Sequence, residues 1–507
     1  MADQSESMPP TVQMAPPVLP ELWVIDLDRA AKSEQTLALT LQGLLAKQAP
    51  KIWIAGSGMN AVILDRLIQN GTRVHYMASV WELLRQFHSE VQGAILYTLG
   101  DDSINVATAL CGPMQSVAIE ASILDRAKAE GLKVLFDARG YDEQRAFAEF
   151  KDQYARGIAV EQSEEKNAYL RDFAVMKNAF TFYGLSALST SKVVSELGSG
   201  TIVFGWGSDE LAWVQAISQG GGVGVPADWS RNLSVLSQLP VPISPRPHRY
   251  PEPVKDGERI VAFVMSDGDN IQWMAGEFVT DTGFWASPHR STFPMPWEMA
   301  PILSEVAPLA LDHFYRTASH GQHLDDFVTG PSGAGYSFPN HVPDRASAAK
   351  QTATLLQKSD LQVVTILNEG GDLTQADELL SQPEVLGVLY KDYAPYNLRK
   401  GAIHWHHGKP AVAYRFLLWQ GQLPDSPIGV ADSIARMPRA PLTDASSYAL
   451  INVHAWSYKD LGGPMEAVRQ TIDRLPPGTR VVTAEQLIIL LRNAFGSKVP
   501  PTMLASR

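Results

Sequence analysis

Short apolar runs rich in β-branched residues recur along this chain, each closed by a turn signal and separated from the next by helical periodicity. In the first half the runs fall at 22–26, 51–55, 94–97 and 132–136, with helical patterns over 79–89 and 117–130. A charged helical stretch at 143–154 and an apolar run at 201–205 follow. The alternation predicts layered α/β units with mostly parallel sheets. Alternating prolines over 240–253 then hold the backbone extended and deny it ladder hydrogen bonds, so this stretch reads as a stiff connector.

Beyond the connector the rhythm resumes with longer spacing. Strands are expected at 259–266, 361–367, 386–391, 410–418 and 448–454, and at 480–483 before a helix over 484–492. Weaker signals fall at 311–315 and 401–405. Roughly six to eight parallel strands in such a length fit a carboxy-terminal β/α, TIM-like barrel, with an open doubly wound sheet as the alternative. The expected division is a disordered leader at 1–19, α/β units at 20–139 and 140–239, a linker at 240–258 and a β/α barrel at 259–507.

Composition narrows the function. The hydrophobic share of 45% is that of a globular protein, and a formal charge of −12 argues against a nucleic-acid partner. No apolar run approaches the roughly 20 residues of a membrane span. The polar, proline-bearing start lacks a basic region followed by an apolar one, so the chain as given shows no secretory signal. The single cysteine, Cys111, permits no internal disulfide and no cysteine metal site, and reads as a small buried hydrophobe.

The strongest candidate for chemistry is the end of the run at 260–265, which breaks into Ser266-Asp267-Gly268-Asp269-Asn270. Carboxylates at the carboxyl end of an enclosed strand lie where α/β folds place their sites. If the strand continued, Asp267 and Asp269 would share one face with Cα atoms about 6.5–7 Å apart. That suits two acids about one scissile bond, or two oxygens on one divalent metal. Gly268 can instead turn the chain, and the same residues can cap a helix starting at Ile271. A second segment, 325–341, carries Gly330, Gly333 and Gly335, followed by Tyr336 and Phe338 around a serine. In extended form those two rings face one side, a platform for a sugar face.

Gly333-Ala-Gly-Tyr-Ser-Phe-Pro339 resembles the signature of the GxGYxYP family, whose members are assigned to the glycoside hydrolases by inference. Gly330-Pro-Ser-Gly333, the 266–270 segment and Pro226-Ala-Asp-Trp-Ser-Arg-Asn-Leu-Ser234 are similar to that family as well. The match departs at Phe338, where the family name has tyrosine. The resemblance implies a barrel-like catalytic domain preceded by smaller α/β domains.

Other strand ends supply further candidates. Asn368-Glu369 and Asp392 would bring second carboxylates, and the run from 448 ends toward His454, Trp456 and Tyr458. Arg415 offers a clamp for a sugar hydroxyl or carboxylate. The leading expectation is hydrolysis of a poly- or oligosaccharide by carboxylate acid/base chemistry. Asp267 or Asp269 would take one role and Glu369 or Asp392 the other. Asn270, Trp273, Tyr336, Arg415, His454 and Trp456 would bind the substrate. His320-Gly-Gln-His323, downstream of Asp267, resembles the metal site of polysaccharide deacetylases with one residue too few between the histidines. His404-Trp-His406 places two imidazoles on one strand face, so a divalent metal is open. A metal-dependent deacetylase and a non-catalytic glycan-binding protein are the rivals. Asp228, Trp229 and Asn232 are expected to face the catalytic half.

Overall fold

The computed structural model describes residues 19–496. The expected leader lies outside them except for Leu19, as do residues 497–507.

Before the connector the described residues form three small parallel sheets, with helices packed against them. The first orders its strands as Ile52–Ile54, Glu21–Ile25 and Arg73–Tyr76. The second runs Ser116–Glu120, Gly93–Tyr97, Val134–Asp137. The third runs Val223–Pro226, Ile202–Gly205, Ile158–Glu161, Phe180–Phe182. The helical pattern expected at 117–130 is thus partly wrong. Ser116–Glu120 is a fully buried strand, and the helix is confined to Leu124–Ala129. A short apolar run does not by its periodicity tell an enclosed strand from a helix. Cys111 is buried, as expected of a small hydrophobe.

These units are keyed together by side chains. Asn232, at φ +61°, accepts from Gln42 Nε2 and from the Ile54 amide, each at 2.8 Å. Its own Nδ2 donates to the Ile54 carbonyl and to Asn60 Oδ1, each at 2.9 Å. Asn232 therefore faces the first sheet, not the carboxy-terminal half. Asn232→Ala removes four buried hydrogen bonds, and we expect a loss of about 3 kcal/mol in urea unfolding.

The connector carries no regular structure and is pinned to the carboxy-terminal half. Arg246 is buried; its amide donates to Asp360 Oδ2 at 3.0 Å and its Nε to the Asp360 carbonyl at 2.6 Å, while its guanidinium pairs with Glu485. Beyond it lies a large curled sheet. Its order is Ile403–His406, Lys409–Ala413, Gly387–Asp392, Val363–Asn368, Asp325–Thr329, Met295–Met299, Arg259–Met265, Tyr448–Val453, Phe416–Leu418. All neighbours are parallel except the hairpin of Ile403–His406 with Lys409–Ala413. Thr479–Val481 pairs with the start of Arg259–Met265, whose end meets Trp297.

Arg259–Met265 is buried on both sides, which explains its uninterrupted apolar run. Ile260, Ala262 and Val264 join an inner cluster with Val328, Leu389, Tyr414 and Leu450, while Val261, Phe263 and Met265 pack outward. The run expected at 410–418 is two strands. Tyr414 and Arg415 turn between them, their amides donating to the carbonyls of Tyr390 (3.0 Å) and Leu450 (2.8 Å). The signal at 311–315 is not a strand but the middle of the helix Pro308–Thr317, with proline in its first turn. In this sheet two strands were hidden from sequence reasoning. Met295–Met299 contains Pro296 and Glu298, and Asp325–Thr329 opens on two aspartates, residues that are depleted in strands.

Candidate functional site

The carboxyl ends of the curled sheet surround a cavity of about 210 Å³. Part of its wall comes from the third small sheet, whose strand Ile202–Gly205 runs into Trp206 and then the helix Glu210–Gln219. The cavity therefore lies between two α/β units that both present strand carboxyl ends to it.

Asp267, Asp269 and Asn270 all line this cavity, but not as an extended strand. Asp267 sits at φ +68°, a left-handed conformation that aspartate tolerates better than most residues. Its amide donates to Glu298 Oε2 at 3.0 Å, and the Ser266 hydroxyl donates to its carboxylate. A Cβ on Gly268 would come within 1.6 Å of the Glu298 carbonyl oxygen, so glycine is the one residue that lets the turn lie against the next strand. The backbone thus breaks between the aspartates, and the two-on-one-face geometry does not apply. Nor does an aspartate side chain cap the helix Ile271–Met274. Asn270 is its first flanking residue and uses Nδ2 to hold the Asp267 carbonyl at 3.1 Å.

Above the apolar inner cluster lies a polar layer made by Glu298, Lys391 and Asn452, respectively 1%, 4% and 1% exposed. Lys391 Nζ donates to Glu298 Oε1 at 2.6 Å. Burial still leaves the Glu298 carboxyl above the usual range, with Lys391 opposing the rise. Asp269 is pushed well above it, first by burial and then by the charges of Asp267 and Glu298. Among the described residues the Asn452 carboxamide has no hydrogen-bond partner on either oxygen or nitrogen.

His454 follows Asn452 on the same strand face. Burial lowers its pKa, with Asp267 opposing. Its Nδ1 lies 2.8 Å from Ser457 Oγ, and its ring stacks on Trp419 at 3.8 Å and 7°. Tyr396 in turn meets Trp419 at 4.4 Å, and Trp456, 42% exposed, stands at the rim against Trp273 at 4.7 Å.

The glycine-aromatic segment is the joint to the third small sheet. The Tyr336 amide donates to the Gly224 carbonyl at 2.6 Å and the Gly224 amide returns a bond of 2.8 Å. Tyr336 Oη donates to Glu210 Oε1 at 2.6 Å, while burial holds the Glu210 carboxyl above its usual range. Tyr336 lines the cavity; Phe338 is wholly enclosed, its amide bonded to Ser218 Oγ at 2.9 Å.

Other candidates are placed elsewhere. Trp273 backs Trp456 and Phe278 without reaching the cavity wall. Glu369 pairs with His341 at 2.8 Å, and Asp392 with Arg399 at 3.4 Å. Arg415 donates to the carbonyls of Tyr448 (3.0 Å) and Ala445 (3.1 Å). His320 and His323 occupy the loop before Asp325–Thr329, away from Asp267 on the cavity wall. His404 and His406 turn toward Asp377, at 2.7 and 3.6 Å. Among the described residues no group of three or more His, Cys, Asp or Glu is arranged to hold a metal ion. Asp228 pairs with Lys166, and the Trp229 amide donates to Gln272 Oε1 at 3.0 Å, reaching the carboxy-terminal half.

Sequence reasoning missed Glu298, Lys391, Asn452, Glu210, Trp206, Tyr396 and Trp419 on the cavity wall. Lys391 and Asn452 each carried a signal, a polar residue at an inward position of an apolar run.

A carboxyl-lined, aromatic-walled cavity at the strand ends of an α/β protein has the make-up of a hydrolase site. The chain belongs to the GxGYxYP family. Residues 258–492 match the profile described as "GxGYxYP putative glycoside hydrolase C-terminal domain", residues 156–238 the GxGYxYP third domain, and residues 91–154 the second domain of its amino-terminal part. A crystal structure described as a "putative hydrolase" from Bacteroides thetaiotaomicron is similar over 97% of this chain and 99% of its own, with a TM-score of 0.84 at 27% identity. No curated protein matches the chain. Among the described residues no helix is long and apolar enough to cross a membrane.

Proposed function

We propose that the protein hydrolyses a glycosidic bond in this cavity, with Asp269 as the general acid. The observation that carries the reading is the Asp269 carboxyl itself. It is enclosed beside two further acids, which favours its protonated form at pH values where an ordinary aspartate has lost its proton. A glycosidic oxygen leaving from the anomeric carbon takes that proton. Asp267 serves as the second carboxylate, activating water or attacking the anomeric carbon, and the anomeric configuration of the product tells which. Glu298 and Lys391 act through Asp267, by fixing the amide that sets its turn. Trp419, Tyr396, Trp456 and His454 offer ring faces to the sugar. In this reading residues 259–507 form the catalytic β/α unit, and the smaller units before the 240–258 connector complete its wall.

A panel of aryl glycosides, oligosaccharides and acetylated glycans, assayed with the parent, Asp267→Asn and Asp269→Asn, tests the proposal. Release of acetate without glycosidic cleavage would overturn it. The pH profile gives a second check. An acid must be protonated to act, so kcat/KM should fall as pH rises through the elevated Asp269 value. Replacing a good leaving group for a poor one should make that basic limb steeper in effect, because a poor leaving group depends more on the proton.

A further inference from the structure

We propose that Asn452 reads the substrate, and that the unit it reads is a neutral, hydroxyl-bearing sugar rather than a uronic or sulfated one. The inference rests on the glycosidase reading for the kind of ligand and on the cavity's own polar groups for its recognition.

Asn452 lies opposite Val264 on one neighbouring strand and Leu417 on the other. Side chains alternate along a strand, and Ile451 and Val453 belong to the outward core. Asn452 and His454 therefore point inward, where both line the cavity, while Leu450 joins the apolar cluster beneath them. The carboxamide is almost completely enclosed, and among the described residues both its oxygen and its nitrogen lack a partner. A buried amide left unpaired is costly, and a leucine of the same shape would avoid that cost. The nearby polar pair offers no relief, because Lys391 is committed to Glu298. With no protein group on the amide, a ligand that enters the cavity can meet it. One acceptor and two donors on a single planar group match adjacent hydroxyls, each of which both donates and accepts.

The charge on the wall narrows the class. Glu210, Asp267, Asp269 and Glu298 all face the cavity. Among the described residues, its wall carries one lysine, Lys391, and no arginine. A carboxylate or sulfate on the sugar would therefore meet the Asp267 charge among further acids, with the one lysine already committed to Glu298, an arrangement that disfavours it.

The test titrates the whole chain with glucose, galactose, mannose and xylose, and with glucuronate and galacturonate as anionic counterparts, by ligand-observed NMR. We expect at least one neutral sugar to bind about tenfold or more tighter than its uronate. Asn452→Leu should weaken that binding about tenfold or more. It should do so without lowering the unfolding midpoint of the sugar-free protein, since no internal hydrogen bond is lost. A purely structural asparagine would show the reverse, a lower midpoint with affinity kept, and would overturn the proposal. Equal or tighter binding of uronates, or no sugar binding at all, would overturn it too. Hydrolysis assays on the same proteins separate this inference from the catalytic one. Binding of neutral sugars through Asn452 without any turnover supports the reader and removes the catalyst; turnover of uronides alone does the opposite.

Discussion

Asp269→Asn should lower kcat by about 10²–10⁴-fold, the range general acid catalysis supplies, while making the protein more stable at neutral pH. The two effects share one cause. Burial and the neighbouring charges of Asp267 and Glu298 raise the Asp269 carboxyl well above its ordinary value. The folded protein therefore holds a proton there over a pH range in which the unfolded chain has released it. Where the folded state binds more protons, stability falls as pH rises, so the penalty begins above the unfolded value near pH 4 and grows toward the folded one. An asparagine carries no such penalty. The unfolding midpoints of parent and variant should coincide near pH 3 and separate in the variant's favour toward neutrality. An activity loss without that pH-dependent gain would mean that the carboxyl is not held protonated, and the acid would have to be sought elsewhere on the wall.

Lys391→Met should destabilise the protein by about 3–5 kcal/mol at neutral pH, because it leaves the Glu298 carboxylate buried without its partner. Activity should fall with it, since Glu298 also holds the Asp267 amide. The sign of the pH dependence follows from Glu298, already raised by burial and relieved by Lys391. Without the lysine the folded-state value rises further. The stability deficit should be full at neutral pH and shrink as pH falls toward the ordinary glutamate value, where the carboxyl is protonated in both states. The double variant Lys391→Met/Glu298→Gln should recover most of the lost stability, because no buried charge then remains. If chemical denaturation shows the single variant within about 1 kcal/mol of the parent, the pair is open to water and the enclosed polar layer is not as described.

How much of this was readable from the sequence depends on which side chains face inward. Arg259–Met265 was plain, because both its faces are covered and every residue is buried. Met295–Met299 was not, because Pro296 and Glu298 interrupt the apolar pattern, and one of those interruptions, Glu298, lines the cavity. Asp267, Asp269, Asn270, Tyr336, His454 and Trp456 were singled out by position and do meet at one cavity. Glu369, Asp392 and Arg415 stood at equally good strand ends, yet each is turned to a local partner. Strand-end position finds the rim of a site but not the direction a side chain takes. Glu210 and Trp206 carried no signal at all, since nothing in their own neighbourhood shows that another unit will lie against them.

The bridge between Gly224 and Tyr336 changes what the signature heptapeptide means. A Cβ on Gly335 would come within 2.7 Å of the Gly224 carbonyl oxygen, and one on Gly333, at φ +98°, within 2.6 Å of Thr352. Both glycines are thus demanded by docking and folding of the loop, and neither by room for a ligand. Gly335, Tyr336 and Phe338 thus meet residues of another unit that stand more than one hundred positions earlier in the chain. Those contacts exist only where the two units lie together. The heptapeptide announces a two-part cleft, and the carboxy-terminal unit cut away at the connector would keep its acids but lose the wall that makes them a cavity.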